Sequence, residues 1–114
     1  MKCLKIILIL SLSIGASHIS HADGDKKKKE TFKVWGQCEM CHDKITKTVK
    51  SVDGVKSVSW NVVTKMMKVK FDENITSLDS IQIKISKAGY DTEKYKASDE
   101  TYNNLHHCCK YNRN

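Results

Sequence analysis

The sequence of 114 residues contains no apolar run long enough to act as a permanent membrane anchor. Its longest apolar stretch, residues 6–14, follows Lys2 and Lys5 and precedes Ser20 and Ala22, small residues at the −3 and −1 positions of a cleavage site. This order is typical of a secretory signal peptide. We therefore expect residues 1–22 to direct export and then to be removed. The mature protein would have no stable membrane insertion, and it would be periplasmic in a Gram-negative bacterium.

The lysine run at residues 26–29 lacks interleaved aromatic side chains. Such a run is usually a solvated tail, whereas nucleic-acid-binding surfaces combine basic with aromatic side chains. The formal net charge is +7 for the whole sequence and +5 after removal of residues 1–22, which hold two lysines and no acid. We therefore predict a flexible charged leader over residues 23–30 and no nucleic-acid partner.

The sequence shows no pattern of a nucleophile with a general base and oxyanion donors, so it is not predicted to be an enzyme. The cysteines point to a different chemistry. Cys3 lies in the export segment, and the other four cysteines form two local pairs, Cys38 with Cys41 and Cys108 with Cys109. A disulfide framework would spread its cysteines to close long loops. Local pairs therefore indicate a reactive or metal-binding site.

Hydrophobic periodicity predicts six elements in the order β-α-β-β-α-β. Cys41, Ile45 and Val49 share one face of a first helix, and a second helix lies between Ser77 and Gly89. The strands are predicted over residues 31–35, 55–63, 66–72 and 92–97.

This order is that of an α+β, ferredoxin-like sandwich, in which a four-stranded antiparallel sheet carries both helices on one face. The predicted domain spans residues 31–97. Residues 98–114 form a short C-terminal extension containing Cys and His, with a short helix that begins at Ser98 or Asp99 and runs toward Cys109.

The spacing of Cys38 and Cys41, followed by His42, has four chemical uses: a soft-metal clamp, a redox disulfide, half of a zinc site, or attachment of c-type haem. Cys38 is predicted on the loop after the first strand and Cys41 in the first turn of the helix. Free N–H groups and the helix dipole favour a thiolate there. A thiol–disulfide redox protein and a c-type haem protein remain the alternatives to metal binding.

Residues 32–97 resemble the heavy-metal-associated domain family, which includes copper chaperones, metal-binding repeats of P-type ATPases and periplasmic mercury-binding proteins. The resemblance depends on the order and spacing of several motifs: FKVWG at residues 32–36, CxxC at 38–41, VDGV at 52–55, MMKVKFD at 66–72 and AGYD at 88–91.

The resemblance implies that Cys38 and Cys41 bind one soft metal ion as thiolates. Cu(I) is the first candidate, with Hg(II) or Zn(II) as alternatives, because two sulfur ligands suit Cu(I) and Hg(II) whereas Zn(II) prefers four ligands. The expected partners are the metal ion and either a membrane metal transporter or another metal-binding domain.

Further side chains are predicted near this ion. Tyr90 stands where the family places an aromatic residue or a lysine beside the metal loop, Met40 lies between the two cysteines, and His42 follows Cys41. The extension could bind a second ion or complete the first site. It adds four candidate ligands: His106, His107, Cys108 and Cys109.

The family motif Gly-Met-x-Cys-x-x-Cys is altered here, because Trp35 stands at its glycine position and Gly36 at its methionine position. In the family, that methionine packs inward beneath the metal loop. We expect Trp35 to provide the missing support.

Overall fold

The computed structural model describes residues 26–113, so the predicted export segment over residues 1–22 lies outside the described part of the chain. One antiparallel sheet is formed by β1 (Lys27–Lys33), β2 (Val55–Trp60) and β3 (Met66–Asp72). β3 lies in the centre, between β1 and β2. Within residues 26–113, no helix is both long and apolar enough to cross a bilayer.

Two helices cover one face of this sheet, α1 (Glu39–Lys50) and α2 (Leu78–Lys87). The predicted helical spacing of apolar residues is found in α1, whose buried residues are Cys41, Ile45 and Val49. α2 begins after Ser77, whose side-chain oxygen accepts a hydrogen bond from the backbone N–H of Ser80. The chain ends in a short helix α3 (Asp99–Asn103) and a single 3-10 turn (His107–Cys109).

The core lies between the helices and the central strand. Met67, Val69 and Phe71 alternate along β3 and are buried, whereas Lys68 between them is exposed. Each such buried side chain stabilises the fold by about 1.5–3 kcal/mol. The sheet therefore has one face in the core and one face in solvent, as the sequence alternation predicts.

The first strand begins earlier than predicted. Lys27–Glu30 pair with Val69–Asp72 of β3, so the prediction of a flexible leader over residues 23–30 is wrong for its last four residues. Backbone pairing to β3 holds these residues although most of their side chains are exposed. The sequence does not reveal this part of the strand, because a charged edge strand with both faces in solvent lacks the apolar alternation by which strands are recognised.

The second strand is shorter than predicted, ending at Trp60 rather than at residue 63. The side-chain oxygen of Asn61 accepts hydrogen bonds from the backbone N–H groups of Val63 (2.8 Å) and Thr64 (2.9 Å). An asparagine bonded to the following backbone in this way closes a turn and ends the strand pairing.

The fourth strand is absent from the described residues. Residues 92–97 contribute one isolated bridge, between Val34 and Thr92. The backbone N–H of Thr92 donates to the carbonyl of Tyr95 (2.7 Å), which turns the chain away from the edge of β1. The first five predicted elements keep their order, β-α-β-β-α, but the sheet of the described residues has three strands rather than four.

Trp60, rather than Trp35, fills the space beneath the loop between β1 and α1. A Cβ atom on Gly36 would lie 2.7 Å from the Trp60 indole and 3.0 Å from the Ile45 side chain. The indole is held in place because its N–H donates to the carbonyl of Val34 (3.1 Å). Gly36 is therefore required by the close approach of this ring; Trp35, expected to support the loop, is partly buried against the core, and its role in support stays a prediction.

We expect Gly36→Ala to lower the free energy of unfolding by about 1–3 kcal/mol, because the added methyl overpacks a site occupied by Trp60. Urea unfolding followed by far-ultraviolet circular dichroism measures this change. In a Trp60→Leu background the same substitution should cost much less, since a smaller side chain leaves room. An equal cost in both backgrounds would rule out Trp60 as the cause.

Candidate metal centre

The two cysteines of the CxxC motif stand where the sequence predicts them, at the start of α1. Cys38 is the N-cap residue, with an extended backbone (φ −144°, ψ 176°), and its carbonyl accepts a hydrogen bond from the N–H of His42 (3.0 Å). Cys41 lies in the first turn and is fully buried. Both are free thiols, and their Sγ atoms are 3.3 Å apart.

The C-terminal extension brings two more thiols to the same place. Cys108 Sγ lies 3.6 Å from Cys38 Sγ, and Cys109 Sγ lies 3.8 Å from it. The Sγ atoms of Cys38, Cys108 and Cys109 all lie within 4.8 Å of one another. Cys38 thus contacts three other sulfurs, and we call the four residues (Cys38, Cys41, Cys108 and Cys109) the thiol cluster.

Tyr111 docks the extension onto the domain. Its buried hydroxyl donates to the carbonyl of Gly89 (3.0 Å) and accepts from the backbone N–H of Asp91 (2.8 Å). The ring of Tyr102 packs edge-on against Tyr111, with centroids 5.0 Å apart, and its hydroxyl donates to the Tyr111 carbonyl. These contacts fix the backbone two residues after Cys109.

Asp91 joins the extension to the loop that carries Cys38. Its carboxylate accepts hydrogen bonds from the Arg113 guanidinium (2.9 and 3.1 Å) and from the backbone N–H of Ala97 (2.8 Å). Its carbonyl accepts from the backbone N–H of Trp35 (2.9 Å), which begins the loop. The position of the loop and the position of the extension therefore depend on the same residue.

Gly89 provides the surface on which the extension turns. Its φ of +110° is a conformation that side chains rarely adopt, and it follows the last turn of α2. A Cβ at this position would lie 2.8 Å from the Leu105 side chain and 2.9 Å from the carbonyl of Thr101. The glycine therefore allows the extension to pack directly on the end of α2.

The cluster concentrates negative charge on one sulfur. The backbone N–H of Cys41 lowers the pKa of Cys38 to about 7; burial opposes this shift, and hydrogen bonds from the other three thiols assist it. Burial, followed by the hydrogen bond with Cys41, raises the pKa of Cys109. The hydrogen bond to Cys38 raises the pKa of Cys108. Cys38 is thus the thiol most readily deprotonated, whereas the raised pKa values of Cys108 and Cys109 favour their protonated forms.

Tyr90 packs beneath the cluster. It is fully buried, and its ring stacks on Tyr111 with centroids 6.2 Å apart. Among the described residues its hydroxyl has no hydrogen-bond partner. Burial, followed by the nearby thiols of Cys41 and Cys109, raises its pKa, so the hydroxyl stays protonated. Its place near the CxxC loop agrees with the sequence prediction, and the ring also belongs to the core.

Met40 and His106 lie at the rim of the cluster, both beside Cys108. Met40 is half exposed, with its Sδ 3.9 Å from Cys108 Sγ, and His106 Nδ1 lies 3.3 Å from the same sulfur. His107 is exposed, and its ring neighbours that of His106 at 5.0 Å. The structure therefore brings His106, but not His107, into contact with a cluster sulfur among the described residues.

Among the described residues, His42 is not part of the group of potential ligands formed by Cys38, Cys108 and Cys109. Its ring centroid is 6.3 Å from that of Trp60, and its Nδ1 is 3.2 Å from the carboxylate of Asp43. The alternative of c-type haem requires this ring as an iron ligand. Its ring contacts Trp60 and Asp43 instead, and Met67, a methionine that could otherwise supply a second iron ligand, is fully buried in the core; both observations favour metal binding by sulfur over haem attachment.

Three residues that support the site carry no recognisable sequence pattern. Lys65 donates from its ammonium to the carbonyl of Gly36 (2.6 Å), which ties the β2–β3 turn to the CxxC loop. Tyr111 and Arg113 hold the extension in place through long-range contacts. A lysine in a turn and two residues in a polar tail are common in any sequence, so only the folded structure reveals these roles.

We expect Cys38 to be the most reactive thiol of the reduced, metal-free protein. Its alkylation rate should rise with pH around a midpoint near 7, because deprotonation supplies the thiolate and the pKa of Cys38 is lowered from 9.0 to about 7. Timed alkylation with iodoacetamide and peptide mass spectrometry measures the rate at each cysteine. A midpoint near that of an ordinary thiol, or faster modification of Cys109, would contradict this charge distribution.

The Heavy-metal-associated domain matches residues 31–91, more than half of the chain, and the protein belongs to this family. A copper-exporting P-type ATPase of Staphylococcus saprophyticus is 32% identical over 59 residues, which are 52% of this chain and 7% of the ATPase. A copper-transporting ATPase of Helicobacter pylori is 33% identical over 73 residues, or 63% of this chain and 10% of that protein. The chain thus spans about a tenth or less of these relatives.

Solved structures of the same family share the fold. Oxidized MerP from Ralstonia metallidurans is 28% identical, with a TM-score of 0.57, and the match covers 60% of this chain and 96% of MerP. The water-soluble region of the P-type ATPase CopA from Bacillus subtilis is 32% identical, with a TM-score of 0.56, covering 60% of this chain and 46% of that one. The family match ends at Asp91, so Cys108 and Cys109 lie beyond it.

Proposed function

We propose that this protein binds a soft metal ion through the thiolates of Cys38 and Cys41 and either sequesters the ion or passes it to another protein. Cu(I) is the preferred ion, with Hg(II) and Zn(II) as alternatives. The observation that carries the proposal is the pair of free thiols 3.3 Å apart at the start of α1, within the segment that matches the family. The copper ATPases among its relatives support a soft metal.

The chemistry follows from the position of Cys38. Metal binding requires thiolates, and Cys38 is the thiol whose pKa is lowered to about 7. Cu(I) prefers soft sulfur ligands and can gain or lose one at a time. Transfer then proceeds by ligand exchange, in which a thiolate of the acceptor binds the ion before Cys38 or Cys41 leaves. No change of oxidation state is needed.

The acceptor or donor in this proposal is a membrane metal transporter or another metal-binding domain. Copper ATPases among the relatives support this class of partner. Export is proposed from the composition of residues 1–22, and a periplasmic location would follow in a Gram-negative bacterium. In that compartment the protein would meet ions on the outer side of the inner membrane.

Thiol–disulfide exchange is the competing function, because a lowered pKa and two adjacent thiols also suit a redox site. Such a pair needs only two sulfurs, and here Cys38 contacts three others. The convergence of additional sulfurs, together with membership of the family, favours metal binding. Catalysis of insulin reduction by the metal-free protein would instead favour the redox function.

Replacement of both Cys38 and Cys41 by serine should lower the affinity for Cu(I) by at least about 100-fold. Loss of residues that only hydrogen-bond to metal ligands costs about 10–100-fold, and loss of the ligands themselves should cost more. The full chain, reduced and kept free of oxygen, is titrated against a colorimetric Cu(I) chelator. Circular dichroism confirms that the double variant is folded.

His42→Ala is the matched control, because it changes the residue next to the motif and removes no sulfur. It should leave the affinity for Cu(I) unchanged. Undiminished binding by the double cysteine variant would refute the proposal, and a large loss in His42→Ala would show that the ligand set is wrong.

A further inference from the structure

The C-terminal extension holds two cysteines against a thiol pair that the family domain already contains. We propose that the cysteines of the thiol cluster bind a single d10 ion in a closed site, with three thiolate ligands around Cu(I) and four around Zn(II). This inference rests on the proposed function. It adds the complete ligand set and assigns a role to residues 98–113, which lie beyond the family match.

The sulfurs of Cys38, Cys108 and Cys109, which all lie within 4.8 Å of one another, fit a closed site better than a linear one, and Cys41 Sγ lies 3.3 Å from Cys38 Sγ but outside that group. With metal–sulfur bonds of about 2.3 Å, sulfurs lie about 3.8 Å apart around a tetrahedral ion, about 4.0 Å around a trigonal ion and about 4.6 Å across a linear ion. Cys108 Sγ and Cys109 Sγ lie 3.6 and 3.8 Å from Cys38 Sγ. Cys38 and Cys41, now 3.3 Å apart, need to separate by only about 0.5 Å for a tetrahedral ion.

The extension is folded onto the domain and does not act as a loose arm. Leu105, Cys109 and Tyr111 are each at most 5% exposed, and Arg113 pairs with the carboxylate of Asp91. The conformational entropy of the extension is therefore lost when the protein folds and not when the metal binds. The two additional sulfurs are held in place before the ion arrives.

The charge of the closed site can be balanced locally. Four thiolates around Zn(II), or three around Cu(I), carry a net charge of −2. The backbone N–H of Cys41 bonds to the Cys38 sulfur, and the N-terminal end of α1, where Cys38 is the N-cap residue, favours an anion there. Each thiol that becomes a ligand releases its proton to solvent, and no electron is transferred.

The closed site changes how an ion would leave. An acceptor thiolate must replace a thiolate of the extension, so that its bond to the ion forms as the bond to Cys108 or Cys109 breaks. The departing sulfur takes a proton from solvent. Cys108 is half-buried whereas Cys109 is 2% exposed, so Cys108 is the ligand that an acceptor reaches first. The extension therefore retains the ion until a competing thiolate arrives.

The test compares Zn(II) with Hg(II) in the full chain, because only Zn(II) needs more than two thiolates. The variant replaces both Cys108 and Cys109 by serine, and competition titrations under reducing conditions measure both affinities. We expect the Zn(II) affinity to fall by about 100-fold, the lower range of the gain that linked ligands provide. The Hg(II) affinity should be nearly unchanged, because Cys38 and Cys41 satisfy that ion.

Two further variants make the result specific. His107→Ala alters an exposed residue of the same turn and should change neither affinity. Tyr111→Phe keeps all four thiols but removes the hydroxyl that holds the extension, so its Zn(II) affinity should lie between those of the wild type and the double variant. Circular dichroism must show the wild-type fold in each variant.

An unchanged Zn(II) affinity in the Cys108→Ser/Cys109→Ser variant would overturn the closed site and leave the proposed function intact. The matched variant with Cys38→Ser and Cys41→Ser also removes two thiols, but from the other pair. Retention of tight Cu(I) binding there would overturn the proposed function itself, so the two failures are distinguishable.

Discussion

The candidate site depends on the hydrogen bonds of Asp91, whose backbone carbonyl, backbone N–H and carboxylate all have partners. Its carbonyl holds Trp35 at the start of the CxxC loop, its N–H donates to the Tyr111 hydroxyl, and its carboxylate binds Arg113. A carboxylate this deeply buried needs such a partner, and loss of the guanidinium would leave an unpaired charge. Through this residue the loop of the family domain and the extension beyond it become one unit.

The same region explains the departure from a four-stranded sheet. Ala97 donates to the Asp91 carboxylate, and Thr92 closes a turn with Tyr95, so the segment folds back toward Asp91. A fourth strand would extend along β1 and away from the cluster. The turn instead directs the chain into α3 and returns Cys108 and Cys109 to Cys38. The shortened sheet and the crowded thiol site thus have a common structural cause.

Much of this fold follows from local patterns in the sequence. The period of α1, the alternation of β3 and the Ser77 cap depend on neighbours along the chain, so they could be predicted. The lysine-rich start of β1 could not, because its pairing with β3 is non-local and its side chains are exposed. The strand predicted over residues 92–97 does not form for the opposite reason. Its local strand propensity is overridden by hydrogen bonds between the Thr92 hydroxyl and the backbone of Tyr95 within the turn.

Some features of the candidate site could likewise be predicted from the sequence, and others could not. The placement of Cys38 and Cys41 at a helix start could be predicted from their spacing and from the family resemblance. The support by Trp60 could not, since it depends on a ring reaching across to Gly36 from another strand. The docking of the extension also lay beyond prediction, because it rests on Tyr111 and Arg113 contacting residues about twenty positions earlier.

The most direct measurement of the account is the number of sulfur atoms around one bound ion. X-ray absorption spectroscopy of the full, reduced chain loaded with one equivalent of Cu(I) provides that number. A closed thiol cluster predicts at least three sulfur neighbours in the wild type. Two sulfur neighbours in a linear arrangement would contradict the account, because the ion would then be held by a thiol pair alone.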